Sequence, residues 1–113
     1  MDLREVQRRF REFERERGWH LFPASQVFVH LVEELGEIGN YILHEEGYKK
    51  AGLGHEGVNR GDLGREFAQA FALFIQLANH FDVDLESAVL EELSRMEKRF
   101  PVEKWRRAMG LGD

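Results

Sequence analysis

Apolar residues return along this chain every three or four positions, the spacing of one face of a helix. In residues 2–17 the stripe is Leu3, Val6, Phe10 and Phe13, and Gly18 then ends it. Pro23 suits the first turn of a second helix running to about Glu45, with Val27, Leu31, Leu35, Ile38 and Ile42 on its stripe. Asp62 offers a cap to a third helix that ends near Phe81 and carries Phe67, Phe71, Phe74 and Leu77. Asp84 offers a cap to a fourth, whose expected buried face is Leu85, Val89, Leu93, Met96 and Phe100. Pro101 stops it, and 102–109 has room for a last short turn or two. The pattern predicts an all-α architecture, a bundle of four main helices in a single domain over 1–113. Between the second and third helices, residues 46–61 hold five glycines and predict a mobile loop; 102–113 predict a short C-terminal tail.

The third helix is apolar over more than one stripe, through Phe71, Phe74, Ile75 and Leu77. A helix apolar most of the way round is either central or at a subunit interface. Four short helices do not easily surround it, so a homo-oligomer is expected, a homodimer or homotetramer.

Composition narrows the partners. The 113 residues carry a net charge of −5, which argues against a general nucleic-acid binder or a membrane-surface binder, since both call for a basic face. There is no cysteine, which excludes disulfides, thiol nucleophiles and Cys-based zinc sites. The N-terminus is charged throughout, without the apolar run of a signal peptide, and no stretch approaches the ~20 apolar residues of a membrane span. A cytoplasmic location is expected.

Against this background the segment His30–Tyr41, HLVEELGEIGNY, is anomalous, because three carboxylates interrupt a helix built to be buried. At about 100° per residue, Glu34 falls roughly 20° from both Val27 and Tyr41, inside the apolar arc near one edge. Glu37 lies on the same flank, with Glu33 further toward solvent. On the third helix Glu66 projects between Leu73 and Leu77, with Gln69 three residues on. Two antiparallel helices packed on these arcs would gather Glu34, Glu37, Glu66 and Gln69. Clustered carboxylates at a core margin repel and lose hydration unless a cation joins them. Hard oxygen donors without cysteine favour Mg²⁺, or Mn²⁺, over zinc. A lone ExxE more often marks a solvated face; two such pairs on two helices, each within an apolar arc, raise the metal reading.

The run Glu33-Glu34-Leu35-Gly36-Glu37, followed on the next helix by Glu66-Phe67-Ala68-Gln69, resembles the EExxE…ExxD signature of the MazG-like, all-α nucleotide pyrophosphohydrolases. The flanks RGWHLFP and LANHFDVDLESAVLEELSRMEKRFP look like that family's entry to the second helix and its stretch from the third through the fourth. The resemblance extends from about residue 3 to 101. It implies a Mg²⁺-dependent enzyme that cleaves a nucleoside triphosphate between the α and β phosphates, giving a nucleoside monophosphate and pyrophosphate. It implies Glu34, Glu37, Glu66 and Gln69 as the metal set and Glu33 as the residue that holds or deprotonates the attacking water. Arg95 stands where the family tends to have a lysine, a candidate phosphate contact. Two positions depart from the pattern: Gln69 replaces the family's last Asp, and Met96 its usual Asn. A carboxamide oxygen ligates Mg²⁺ but brings no charge.

Other residues carry two readings each. Trp19 is a platform for a base or a cap on the bundle end. His30, one turn before Glu34, touches substrate or is a satisfied core histidine. Lys49, Lys50 and Arg60 close over phosphates or belong to a solvated loop. His80 reads as structural, Trp105 as packing for the tail, and RRFREFERER as a solvated face laced by i,i+4 pairs. Two other functions fit the same pattern: a lapsed MazG-like helical dimer that binds nucleotide or is purely structural, and an acidic module that docks another protein.

Overall fold

The computed structural model describes residues 1–112 and is all-helical. Helix α1 spans Leu3–Glu16, and its first turn is closed by Asp2, whose Oδ1 accepts from the Glu5 amide at 2.8 Å. It stops at Gly18, which takes a left-handed φ of 73° that favours glycine. A 3₁₀ turn, Trp19–Leu21, leads into α2, Ala24–Glu45, which opens directly after Pro23. Helix α3 spans Leu63–His80, α4 spans Leu85–Arg99, and a short α5 covers Val102–Ala108. Asp84 caps α4 through the Ser87 amide. Asp62 does not cap α3 as expected; Asn59 instead accepts from the Gly61 amide at 2.9 Å and orders a 3₁₀ turn, Arg60–Asp62, just before the helix.

The antiparallel pair α2–α3 is the centre of the fold. The N-terminal half of α2, through Val27 and His30, shares clefts with Leu73 and Gln76 late in α3; Glu37, Tyr41 and His44 share one with Leu63 and Glu66 early in it. Val27, Leu31, Ala70 and Ile75 form the core, with Ile75 only 1% exposed. Burying one such aliphatic side chain contributes roughly 1.5–3 kcal/mol.

Helix α1 lies along one side of this hairpin and meets α3 through polar side chains. Gln7, buried, donates to Asn79 Oδ1 at 2.9 Å and to the Val83 carbonyl at 2.7 Å, and accepts from the Leu85 amide at 3.0 Å. One amide side chain thus joins α1 to the end of α3 and the start of α4. Asn79 Nδ2 in turn donates to the buried Glu14 carboxylate at 3.2 Å. Arg4 adds an exposed ion pair to Asp84 at 3.0 Å.

The expected buried face of α4 is reduced to its first residue. Leu85 is buried, whereas Val89, Leu93, Met96 and Phe100 are 39–50% exposed. Helix α4 packs chiefly on α1, so its apolar face finds no cover within the chain. The expected stripes of α2 and α3 are likewise bare at Leu35, Ile42, Phe67, Phe71 and Phe74. The radius of gyration, 18.5 Å, exceeds the roughly 13 Å of a compact domain of this length. No helix among the described residues is long and apolar enough to cross a membrane.

Candidate functional site

The acidic residues of α2 are divided between two depressions. Along a helix, positions three apart differ by about 60° in direction and about 4.5 Å in height. Glu34 therefore faces the side covered by α1, and Glu37 faces the far end of the hairpin.

The first depression has a volume near 550 Å³ and lies between α2, α3 and the 54–59 segment of the intervening loop. Glu37 reaches it from α2 and Glu66 from α3, with Asp62 beside them. Glu56, His44, His55, Asn40, Tyr41 and Asn59 add to its polar lining. The loop is tied down on each side of the opening. Arg60 Nη1 donates to Tyr41 Oη at 2.9 Å, and Lys49 Nζ donates to Asn40 Oδ1 at 3.0 Å. Both cations thus touch polar atoms of α2. The bond to Tyr41, with the field of Glu45 behind it, raises the Arg60 pKa further, so this guanidinium stays charged. Gly47, Gly52 and Gly54 all have positive φ, which lets the loop fold back in so few residues.

The second depression, about 360 Å³, is a cleft between α1 and the hairpin. It holds Glu34 and Gln69, together with His30 and Trp19. Glu34 is half-buried, its Oε1 3.5 Å from His30 Nε2. Trp19 stands edge-on to Phe13, with ring centroids 5.4 Å apart. Glu14 lines the same cleft from α1; burial pushes its pKa up, against the opposing pull of Asn79 and Arg11.

The residues singled out from the sequence are thus distributed as follows. Glu37 and Glu66 line one cavity, and Glu34, Gln69, His30 and Trp19 line another. Glu33 is exposed on α2 beside them. Arg95 borders neither; on α4 it pairs with Glu92 at 3.5 Å and Glu91 at 3.7 Å. Asp62, His44 and His55 were not anticipated as site residues. Asp62 carried no signal of this, since an acid at a helix start reads as a cap, and only the structure shows that it makes none.

The donor chemistry of the first cavity suits a hard cation, with carboxylates and amide oxygens and no thiol. Among the described residues, no three histidines or carboxylates stand close enough to enclose an ion. Compared with known protein families, curated proteins and solved structures, the chain matches none.

Proposed function

We propose that this chain is a MazG-like nucleotide pyrophosphohydrolase. It would cleave a (d)NTP between the α and β phosphates to a nucleoside monophosphate and pyrophosphate. The proposed enzyme works in the cytoplasm with Mg²⁺, or Mn²⁺, as a homodimer or homotetramer whose helices complete a bundle. One observation carries the reading: Glu37 and Glu66, from two different helices and from the two halves of the EExxE…ExxQ pattern, line a single cavity. A triphosphate brought there presents its charge to a depression that is otherwise acidic, and this requires a cation between the two. Glu37 and Glu66 would hold that ion together with the nucleotide's own phosphate oxygens, and it would neutralise phosphate charge and acidify bound water. Glu33, one turn from Glu37 and open to solvent, would hold or deprotonate the attacking water. Arg60, fixed by Tyr41 at the cavity's side, supplies a positive charge for phosphate oxygens.

Active rather than lapsed chemistry is favoured by the location of the substitution. Gln69 lines the α1 cleft and not the cavity that Glu37 and Glu66 share.

A panel of ribo- and deoxyribonucleoside triphosphates with Mg²⁺ or Mn²⁺, read by pyrophosphate release, tests the proposal. At least one nucleotide should release pyrophosphate. Glu66→Gln should lower the rate by roughly 10²-fold or more while leaving the helical content intact. Folded wild-type protein that turns over nothing on the panel would overturn the enzyme reading. Activity appearing only in Gln69→Asp would establish a lapsed site instead.

A further inference from the structure

His44 and His55 line the first cavity, and among the described residues neither ring makes a hydrogen bond or an ion pair; the histidine that pairs with a carboxylate is His30, with Glu34. His44 is half-buried, yet no buried side-chain nitrogen among the described residues lacks a partner, so its free ring nitrogens are open to solvent. His55 is exposed. The rings come from different elements, α2 and the loop, and stand edge to face with centroids 6.3 Å apart. The loop backbone around His55 is folded. The His55 carbonyl accepts from the Gly52 amide at 3.2 Å, and the Lys49 amide donates to the Leu43 carbonyl of α2 at 3.1 Å. His44 follows Glu37 by seven residues, which places it on the same face of α2 to within about 20° and roughly 10.5 Å further along the axis.

Resting on the nucleotide reading above, we infer that His44 and His55, as imidazolium rings, bind pyrophosphate: the two terminal phosphates of a bound triphosphate and, after cleavage, the free product. Three observations choose that ligand. The first is the donors. A protonated imidazole offers two N–H donors and no acceptor, and here neither ring spends a donor within the chain. The second is charge. Glu37, Glu56, Asp62 and Glu66 bring four negative charges to the lining, and one divalent ion with Arg60 returns three, before any phosphate is counted. Lys49 is bonded to Asn40 at the loop's other side, and Tyr41, the other titratable group of the lining, is bonded to Arg60 and Glu45. The two imidazoles remain to add positive charge, and an imidazole changes charge between about pH 5 and 8. A phosphate oxygen beside the ring favours the charged form, so the ligand draws its own countercharge from solvent as protons. The third is polarity. Val58 and Leu63 are the aliphatic members of the lining, so this cavity offers a nucleobase little apolar wall and a phosphate chain many polar atoms. The two turns between Glu37 and His44 let an ion at Glu37 and Glu66 and the histidine pair engage different phosphates of one chain.

Titration calorimetry with inorganic pyrophosphate and Mg²⁺, at pH 6, 7 and 8 and in two buffers of different ionisation enthalpy, tests this without relying on turnover. Wild-type protein should take up protons as pyrophosphate binds, beyond any uptake in the double variant His44→Gln, His55→Gln. The ratio of their affinities should grow as pH falls from 8 to 6, reaching roughly tenfold. Both proteins meet the same pyrophosphate, so the ligand's own titration cancels from that ratio. His55→Gln alone, on the exposed loop, covers the case in which the double variant misfolds, and it should show part of the same loss with its helical circular dichroism retained. Equal affinity and equal proton uptake in folded wild type and variants would overturn the inference, as would wild-type protein that binds no pyrophosphate at millimolar concentration. Nucleotide turnover combined with histidine-independent pyrophosphate binding would sink it and leave the enzyme reading intact. Histidine-dependent binding of pyrophosphate by a protein that turns over no nucleotide would uphold the site and remove the enzyme.

Discussion

On the side of the α2–α3 hairpin that faces α1, polar atoms are buried and partnered. On the opposite side of the same two helices, aromatic and aliphatic side chains stand in solvent. Gln7, Glu14 and Gln76 are each at most 8% exposed, and among the described residues no buried side-chain nitrogen or oxygen lacks a hydrogen-bond partner. Phe67, across the hairpin, is 56% exposed. Directional bonds fix one arrangement and forbid others, whereas an apolar surface accepts any cover of suitable shape. The covered side is therefore where this chain specifies its own fold. The bare side holds no such directional bonds.

The comparison is broken most severely at Gln7. Gln7→Ala removes two donated bonds and leaves the buried Leu85 amide without its acceptor. We expect a loss of about 2–3 kcal/mol in urea or thermal unfolding, far above the loss from any single exposed stripe residue in the dissociated chain. Glu14 gives a smaller effect that depends on pH. Burial raises its pKa above the ordinary 4.5, so the folded state takes up a proton more readily than the open chain. The wild type consequently gains stability as pH falls toward that value and carries the full penalty once pH exceeds the folded pKa. Glu14→Gln keeps an acceptor for Asn79 without the charge. It should be more stable than wild type, on the order of 1 kcal/mol, at neutral and alkaline pH, with the difference shrinking toward 4.5. The smallest effect belongs to the bare side. Gly36→Ala should raise stability by about 0.5–1 kcal/mol in thermal unfolding, because its methyl group meets nothing within the chain.

Several helix ends were legible in the sequence almost to the residue, because they are marked by local chemistry: Gly18 for α1, Pro23 for α2, Asp84 and Pro101 for α4. Which stripe each helix buries was less legible. On α1 the obvious stripe runs through Phe10 and Phe13, yet Phe13 is 41% exposed and the buried positions are Gln7 and Glu14. The signal was present, since Leu3, Gln7, Phe10 and Glu14 follow a 4-3-4 spacing, but a polar residue on a stripe is invisible until its partner is known. Asn79 is that partner, and it lies on another helix. Glu34 and Gln69 line a different cleft from Glu37 and Glu66 for a related reason. A helical wheel places Glu34 and Glu37 on one flank, but it cannot show that α1 roofs the first while the 54–59 loop encloses the second. Both are long-range facts, set by tertiary packing and not by period.

The scarcity of core inside the chain has a thermodynamic signature. How sharply a protein melts, and how steeply it responds to urea, both scale with the surface released on unfolding. With Ile75 the single large side chain sealed below 2% exposure, a lone molecule has little to release. Its melting would be broad and its urea slope shallow. Any partner that covered the bare faces would sharpen that melting and raise its temperature with the partner's concentration.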